Sequence, residues 1–131
     1  MKQFLRFCVV GALGFVTDFA TLYAGVTWLG LGTMSGRILS FLVAATVTWK
    51  ANRHFTFKRQ DAGSAREWLH YLLLTSMGGA INVAVYQLWL HLTDHSAVNL
   101  FLGVAAGSGT AMLFNFVISK RAVFAERRVS P

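Results

Sequence analysis

Two clusters of cations set among aromatic residues are the groups in this chain best suited to chemistry. Trp49, Asn52, Arg53, Phe55 and Phe57 fall in the stretch Trp49 to Arg59, where a long apolar run ends. Ser119, Lys120, Arg121 and Phe124 end a second apolar run in the same style. Guanidinium and ammonium groups make charge-assisted hydrogen bonds to phosphate. Asn and Ser add neutral donors, and aromatic faces hold an apolar tail or stack on a sugar ring. These residues could receive a phosphorylated headgroup. They could equally mark a boundary, because cations stop translocation and aromatic residues form the interfacial belts of membrane proteins.

No catalytic set accompanies the clusters. A Ser-His-Asp grouping, paired acids, a Gly-rich phosphate loop and a nucleotide motif are all missing, so the reading is a non-enzyme without a cofactor. Cys8 is the single cysteine, which excludes an intramolecular disulfide and a cysteine-based metal site. His70 and His91 fall near the ends of an apolar run and read as interfacial, so no metal is assigned.

The elements that must position these residues are membrane helices. Of 131 residues, 55% are hydrophobic and 13% charged, with a mean hydropathy of +0.52. This is far from a soluble composition. The runs Tyr71 to Thr93 and Ser96 to Ser119 each match the ~20 apolar residues that cross ~30 Å of hydrocarbon. Two further spans fit the first half, although Asp18 and Arg37 interrupt it. The expected spans are 4–29, 35–54, 68–92 and 97–119, with a loop at 58–67 and a mobile basic tail at 125–131. Asp18 within the first run, and no Ala-x-Ala-like site after it, argue against a cleaved signal peptide.

Charge sets the expected topology. Lys2 and Arg6 stand at the start of the first span, Arg53, Lys58, Arg59 and Arg66 run from the end of the second toward the third, and Lys120, Arg121, Arg127 and Arg128 follow the fourth. The positive-inside rule then places both termini and the central loop in the cytoplasm. The formal net charge of +7 is explained by topology and needs no nucleic acid, while anionic lipid headgroups would feel the same field.

Polar residues inside the spans fall on faces. Gly11, Gly14, Asp18, Thr21 and Gly25 share one face of span one, and Gly103, Gly107, Ala111, Asn115 and Ser119 recur every four residues on span four. Small residues of this kind let helix backbones approach closely. Arg37, Ser40, Ala44, Thr48 and Asn52 form a seam along span two that serves either as packing glue or as the lining of a path. A lone membrane carboxylate costs on the order of 2.5–3.5 kcal/mol on insertion scales, so Asp18 needs an offset, and Arg37 is the candidate partner. In the polar loop, Ser64 and Glu67 read as a capping box that starts helix three.

The halves align. Gly14 and Asp18 match Gly78 and Asn82, and Asn52-Arg53 with Phe57 matches Ser119-Lys120 with Phe124. The expected fold is an all-α membrane protein of four transmembrane helices, built as two same-orientation helical hairpin repeats with both termini cytoplasmic.

On Asn52-Arg53-x-Phe55-Thr56-Phe57, with Gly14, Asp18, Arg37, Ser40 and the closing Ser119-Lys120-Arg121-x-x-Phe124, the sequence resembles the GtrA-like family of small bacterial four-span membrane proteins. The second signature is looser, with Ser119-Lys120 in place of Asn-Arg. The resemblance implies a role in cell-surface polysaccharide synthesis and O-antigen glucosylation, by flipping polyprenyl-phosphate-linked sugars across the bacterial cytoplasmic membrane. On that reading Arg53, Lys120 and Arg121 capture the phosphate, and Trp49, Phe55 and Phe57 hold the tail or sugar. Asp18, Arg37, Ser40, Asn52 and Asn82, with Asn115 and Ser119 on span four, would accompany the headgroup. Two other classes stay open: a non-transporting subunit that positions a glycosyltransferase, and a small multidrug exporter using Asp18 for proton coupling. Four helices scarcely enclose a headgroup, so a homodimer or larger homo-oligomer is expected.

Overall fold

The computed structural model describes residues 1–94 and 96–125, and these are helical without a strand. The helices are α1 (Lys2–Thr27), α2 (Thr33–Ala51), α3 (Ala65–Leu92) and α4 (Ala97–Ile118). α2 runs on into a π-helical turn, Asn52–Thr56, and α4 into another, Ser119–Val123. The only proline is Pro131, so no helix interior is interrupted by one. The all-α expectation holds. The basic tail expected at 125–131 lies outside the described residues beyond Ala125.

Three stretches, Lys2–Thr27, Ala65–Leu92 and Val98–Val123, are long and apolar enough to cross a membrane. α2 falls outside this group, where four spans were expected. Its sequence includes Arg37, Lys50, Gly36 and several Ser and Thr residues, which dilute its apolar content. Those polar residues do specific work within the α1–α2 pair.

The chain divides into two units, Met1–Leu72 and Leu73–Pro131, and α3 passes from one into the other. In the first, α1 and α2 form an antiparallel hairpin. Gly30 turns the chain with a left-handed φ of 64°, and the Leu31 N–H donates to the Gly25 carbonyl at 3.0 Å. The helices approach closely at two glycines. A Cβ on Gly14 would stand 2.5 Å from Thr48 Cγ2, and one on Gly36 would stand 3.0 Å from Val26 and 3.3 Å from Leu22. Ser40, Ala44 and Ala45 fill the rest of the seam, all buried. Gly11, expected on the same contact face, has nothing near it.

In the second unit Gly103, Gly107 and Ala111 of α4 are buried, as is Ser119 in the turn that follows, in keeping with their four-residue spacing. Gly78 of α3 is pressed against the Asn115 side chain. A Cβ on Gly107 would stand 2.6 Å from the Asn82 carbonyl, and one on Gly103 would stand 3.1 Å from Tyr86 and from Trp89. The contacts of the first unit recur here pair by pair. Gly14 on Thr48 corresponds to Gly78 on Asn115, and Gly36 on Leu22 to Gly103 on Tyr86. Asp18 beside Ser40 corresponds to Asn82 beside Gly107.

Gly78→Ala should therefore destabilise the α3–α4 pair by about 1–3 kcal/mol, the usual range for overpacking. Gly79→Ala, whose added Cβ meets nothing, should be neutral or slightly stabilising. Thermal unfolding in detergent checks both, and Gly78→Ala with Asn115→Ala should recover most of the loss.

Candidate functional site

The first cluster is built on the π-turn that ends α2. The Asn52 carbonyl accepts from the Phe57 N–H at 2.8 Å, a bond five residues apart that widens the helix by one residue. This turn holds Asn52, Arg53 and Thr56 inward, all buried, while His54 and Phe55 face outward. Asn52 Nδ2 donates to the Tyr71 hydroxyl at 3.0 Å, and Thr56 Oγ1 donates to Asn52 Oδ1 at 2.8 Å. α1 steadies the turn from its start. Arg6 donates to the Phe55 carbonyl and lies 5.3 Å from the Phe55 ring centroid, and Phe7 meets Phe57 edge-on at 6.4 Å.

Arg53 stands differently from its expected open position. Only 2% of it is exposed. Nη1 donates to both Glu67 oxygens at 2.6 Å, and Nη2 donates to the Asp61 backbone carbonyl and lies 3.3 Å from the Asp61 carboxylate. The Trp49 indole N–H donates to the same Glu67 oxygen at 2.9 Å. Gly63 is packed on the Trp49 ring, which brings the loop down over the guanidinium. Arg53 is thus the centre of an internal ion pair. Its phosphate-facing role would require Glu67 and Asp61 to give way.

Glu67 was expected only as a capping residue. Ser64 does cap α3, accepting from the Glu67 N–H at 3.1 Å, but the Glu67 carboxylate turns to Arg53 and Trp49. Asp61, Glu67 and Tyr71 are the cluster members that motif reading missed. Their signal was charge scarcity: only five acids face twelve cations, so each acid is apt to be engaged. Arg59 also grips Asp61 through two bonds of 2.8 Å. Chiefly through Arg59, the Asp61 carboxyl is held well below the usual carboxylate range, against desolvation and with further help from its own backbone N–H and from Arg53.

The second cluster lies toward the other end of the α1–α2 hairpin. Arg37 Nη1 donates to Asp18 Oδ2, and the Ser40 hydroxyl donates to Asp18 Oδ1 at 2.7 Å, so both carboxylate oxygens are engaged. The Asp18–Arg37 pair is present. Ser40 is wholly buried, yet 57% of the Arg37 side chain is exposed. The remaining seam residues, Ala44, Thr48 and Asn52, are contact surface in this conformation.

The second unit supplies the other candidates. The π-turn after α4 repeats the first, with the Phe124 N–H donating to the Ser119 carbonyl at 2.8 Å and Ser119 buried. Here the charges differ. Lys120 and Arg121 are exposed, with no acidic partner among the described residues. Asn82 Nδ2 reaches the Ser108 hydroxyl at 3.4 Å, and Asn115 Oδ1 is buried without a hydrogen bond.

The family model for the GtrA/DPMS transmembrane domain matches residues 6–128, nearly the whole chain. The chain belongs to this family. As a GtrA/DPMS domain it is an integral membrane protein of glycosylation-related, lipid-linked sugar processes, and the family's domain is generally non-catalytic. Both π-turns and the Asp18–Arg37 cluster fall within the matched residues.

In this GtrA/DPMS domain, Glu67→Gln should leave buried Arg53 with only the Asp61 carboxylate, 3.3 Å away and half-exposed, as counter-charge and cost about 3 kcal/mol, the lower end for breaking a buried pair. Replacing both partners with Met and Leu should cost less than either single change, as read from unfolding in detergent. Asp61 obeys the carboxylate sign. Its contribution is complete above the unfolded value of ~3.9 and is lost only as pH falls through the lower folded value. Amide exchange in the 57–64 loop, corrected for intrinsic rates, should stay constant from about pH 7 to about pH 5.

Proposed function

We propose that the protein moves a polyprenyl-phosphate-linked sugar across the bacterial cytoplasmic membrane. The observation that carries this reading is the Asp18–Arg37–Ser40 cluster, which fixes charged and polar groups where an apolar helix pair would otherwise be continuous. The tail of such a lipid is already soluble in hydrocarbon, so a carrier need only lower the barrier for the headgroup. Fixed polar groups inside the span do that, because every unsatisfied polar atom in lipid costs several kcal/mol.

In this reading α2 crosses the membrane together with the three more apolar helices. The two hairpins share one orientation, with termini and the central loop in the cytoplasm. The pairwise recurrence of the glycine contacts supports the repeat. Lys120 and Arg121, exposed at the basic end, make the first contact with phosphate. Arg53 anchors that end, and a homo-oligomer encloses the headgroup. The exporter alternative is weakened because both oxygens of Asp18, its proposed proton-coupling group, are engaged.

Reconstitution into vesicles with a fluorescent polyprenyl-phosphate sugar tests the reading. The wild type should accelerate flipping, Lys120→Gln with Arg121→Gln should slow it severalfold, and Arg37→Gln should slow it at least tenfold. Vesicles in which the wild type flips nothing, while the protein co-purifies with a membrane glycosyltransferase, would replace transport with a positioning role.

A further inference from the structure

At the end of the hairpin away from Arg53, α1 and α2 border a groove of about 570 Å³. Phe19, Leu22, Tyr23, Val26, Met34 and Arg37 are among the residues that line it. Its walls are almost wholly apolar, and one cation stands among them. That cation is fixed. The fully buried Ser40 holds one Asp18 oxygen, and the other accepts from Arg37 Nη1, so the guanidinium is steered by two successive bonds.

An arginine has five donor hydrogens in a planar fork, and Asp18 engages only Nη1. The rest of a side chain that is 57% exposed is left for a ligand. Within a span, an ordered and partly unoccupied guanidinium beside an apolar groove calls for an anion attached to hydrocarbon. The groove is walled by one helix pair, which suits a single branched chain better than the two chains of a phospholipid. Phe19 stacks on Tyr23 at 6.3 Å and Tyr23 meets Trp28 at 6.2 Å, so an aromatic ladder continues from the groove along the exposed face of α1. Aromatic faces of this kind suit both isoprenoid methyls and a sugar ring.

We infer that this groove is a second lipid-phosphate site, in which Arg37 binds the phosphate of a single-chain isoprenoid lipid and Phe19, Tyr23 and Met34 hold its first isoprene units. The inference rests on the transport reading and extends it. Arg53 is covered by its pair with Glu67 and by the loop at Gly63, whereas the Arg37 guanidinium stands open beside the groove.

The test uses the full chain in detergent with farnesyl phosphate as the probe, read by calorimetry. Wild type should bind it, and farnesol and dioleoyl phosphatidate should each bind at least tenfold more weakly. Arg37→Gln should weaken farnesyl phosphate binding at least tenfold. Met34→Trp fills the groove while leaving the Asp18–Arg37 pair untouched, and should weaken it comparably. Equal affinity for farnesol would show that phosphate is not recognised, and equal affinity for phosphatidate that the chain is not; either overturns the proposal. So does unchanged binding in either variant. The vesicle assay separates the two ideas. Binding in the groove without flipping keeps the site and removes transport, whereas flipping by a Met34→Trp protein at the wild-type rate keeps transport and removes the site.

Discussion

A buried guanidinium must be matched, and the first unit is organised by how Arg53 meets that demand. Removing one ion from water carries a penalty of several kcal/mol even after relaxation, so partial satisfaction would not hold the residue inside. Four oxygens answer: two from Glu67, the Asp61 carbonyl and the Asp61 carboxylate. Each comes from a segment outside α2. Glu67 brings the first turn of α3, and Asp61 brings the loop after the π-turn. Trp49, sharing Glu67 and supporting Gly63, fills the space that water would otherwise enter. The end of α2, the loop and the start of α3 thus meet at one charge, with the Asn52–Tyr71 bond and the Gly63–Trp49 contact beside it. The π-turn places that guanidinium on the inner side.

The second unit has the same backbone device without the same charge problem. Ser119 takes the place of Asn52 and is equally buried, yet Lys120 and Arg121 extend outward. The helical contacts behind them are conserved in kind between the halves, whereas the charges in front have diverged. One copy holds its cation within the fold and the other offers its cations outward. The two units thus share glycine contacts and a terminal π-turn while differing in how their cations are held.

Much of the helical organisation was legible in the residues. Apolar runs, a lone terminal proline and glycines at four-residue steps leave few ways to build these pairs, and the Gly14–Thr48 and Gly78–Asn115 contacts follow from small residues on facing helices. The partnership of Asp18 with Arg37 was legible too, because an unpaired membrane carboxylate is so unfavourable. The fate of Arg53 was not. Its partners lie in a polar loop and a first helical turn, where motif reading assigns Glu67 to its own backbone, and only the fold shows the carboxylate turning to Arg53. The π-turns were hidden for a related reason. A helix that gains one residue per turn keeps an ordinary composition, and its only trace is which side chains become buried.

That extra residue also sets how the chain can vary. Each residue in a helix advances the side-chain direction by about 100°, so a π-turn re-aims everything that follows it by that much. His54, exposed on the turn, can exchange for many residues with little effect on the fold, and Phe55, whose ring faces Arg6, for other aromatic residues. Removing either one would rotate Phe57 away from Phe7 and shift the loop that carries Asp61. Within Asn52–Thr56 the protein is therefore permissive toward substitution at its outward positions and intolerant of any change in length.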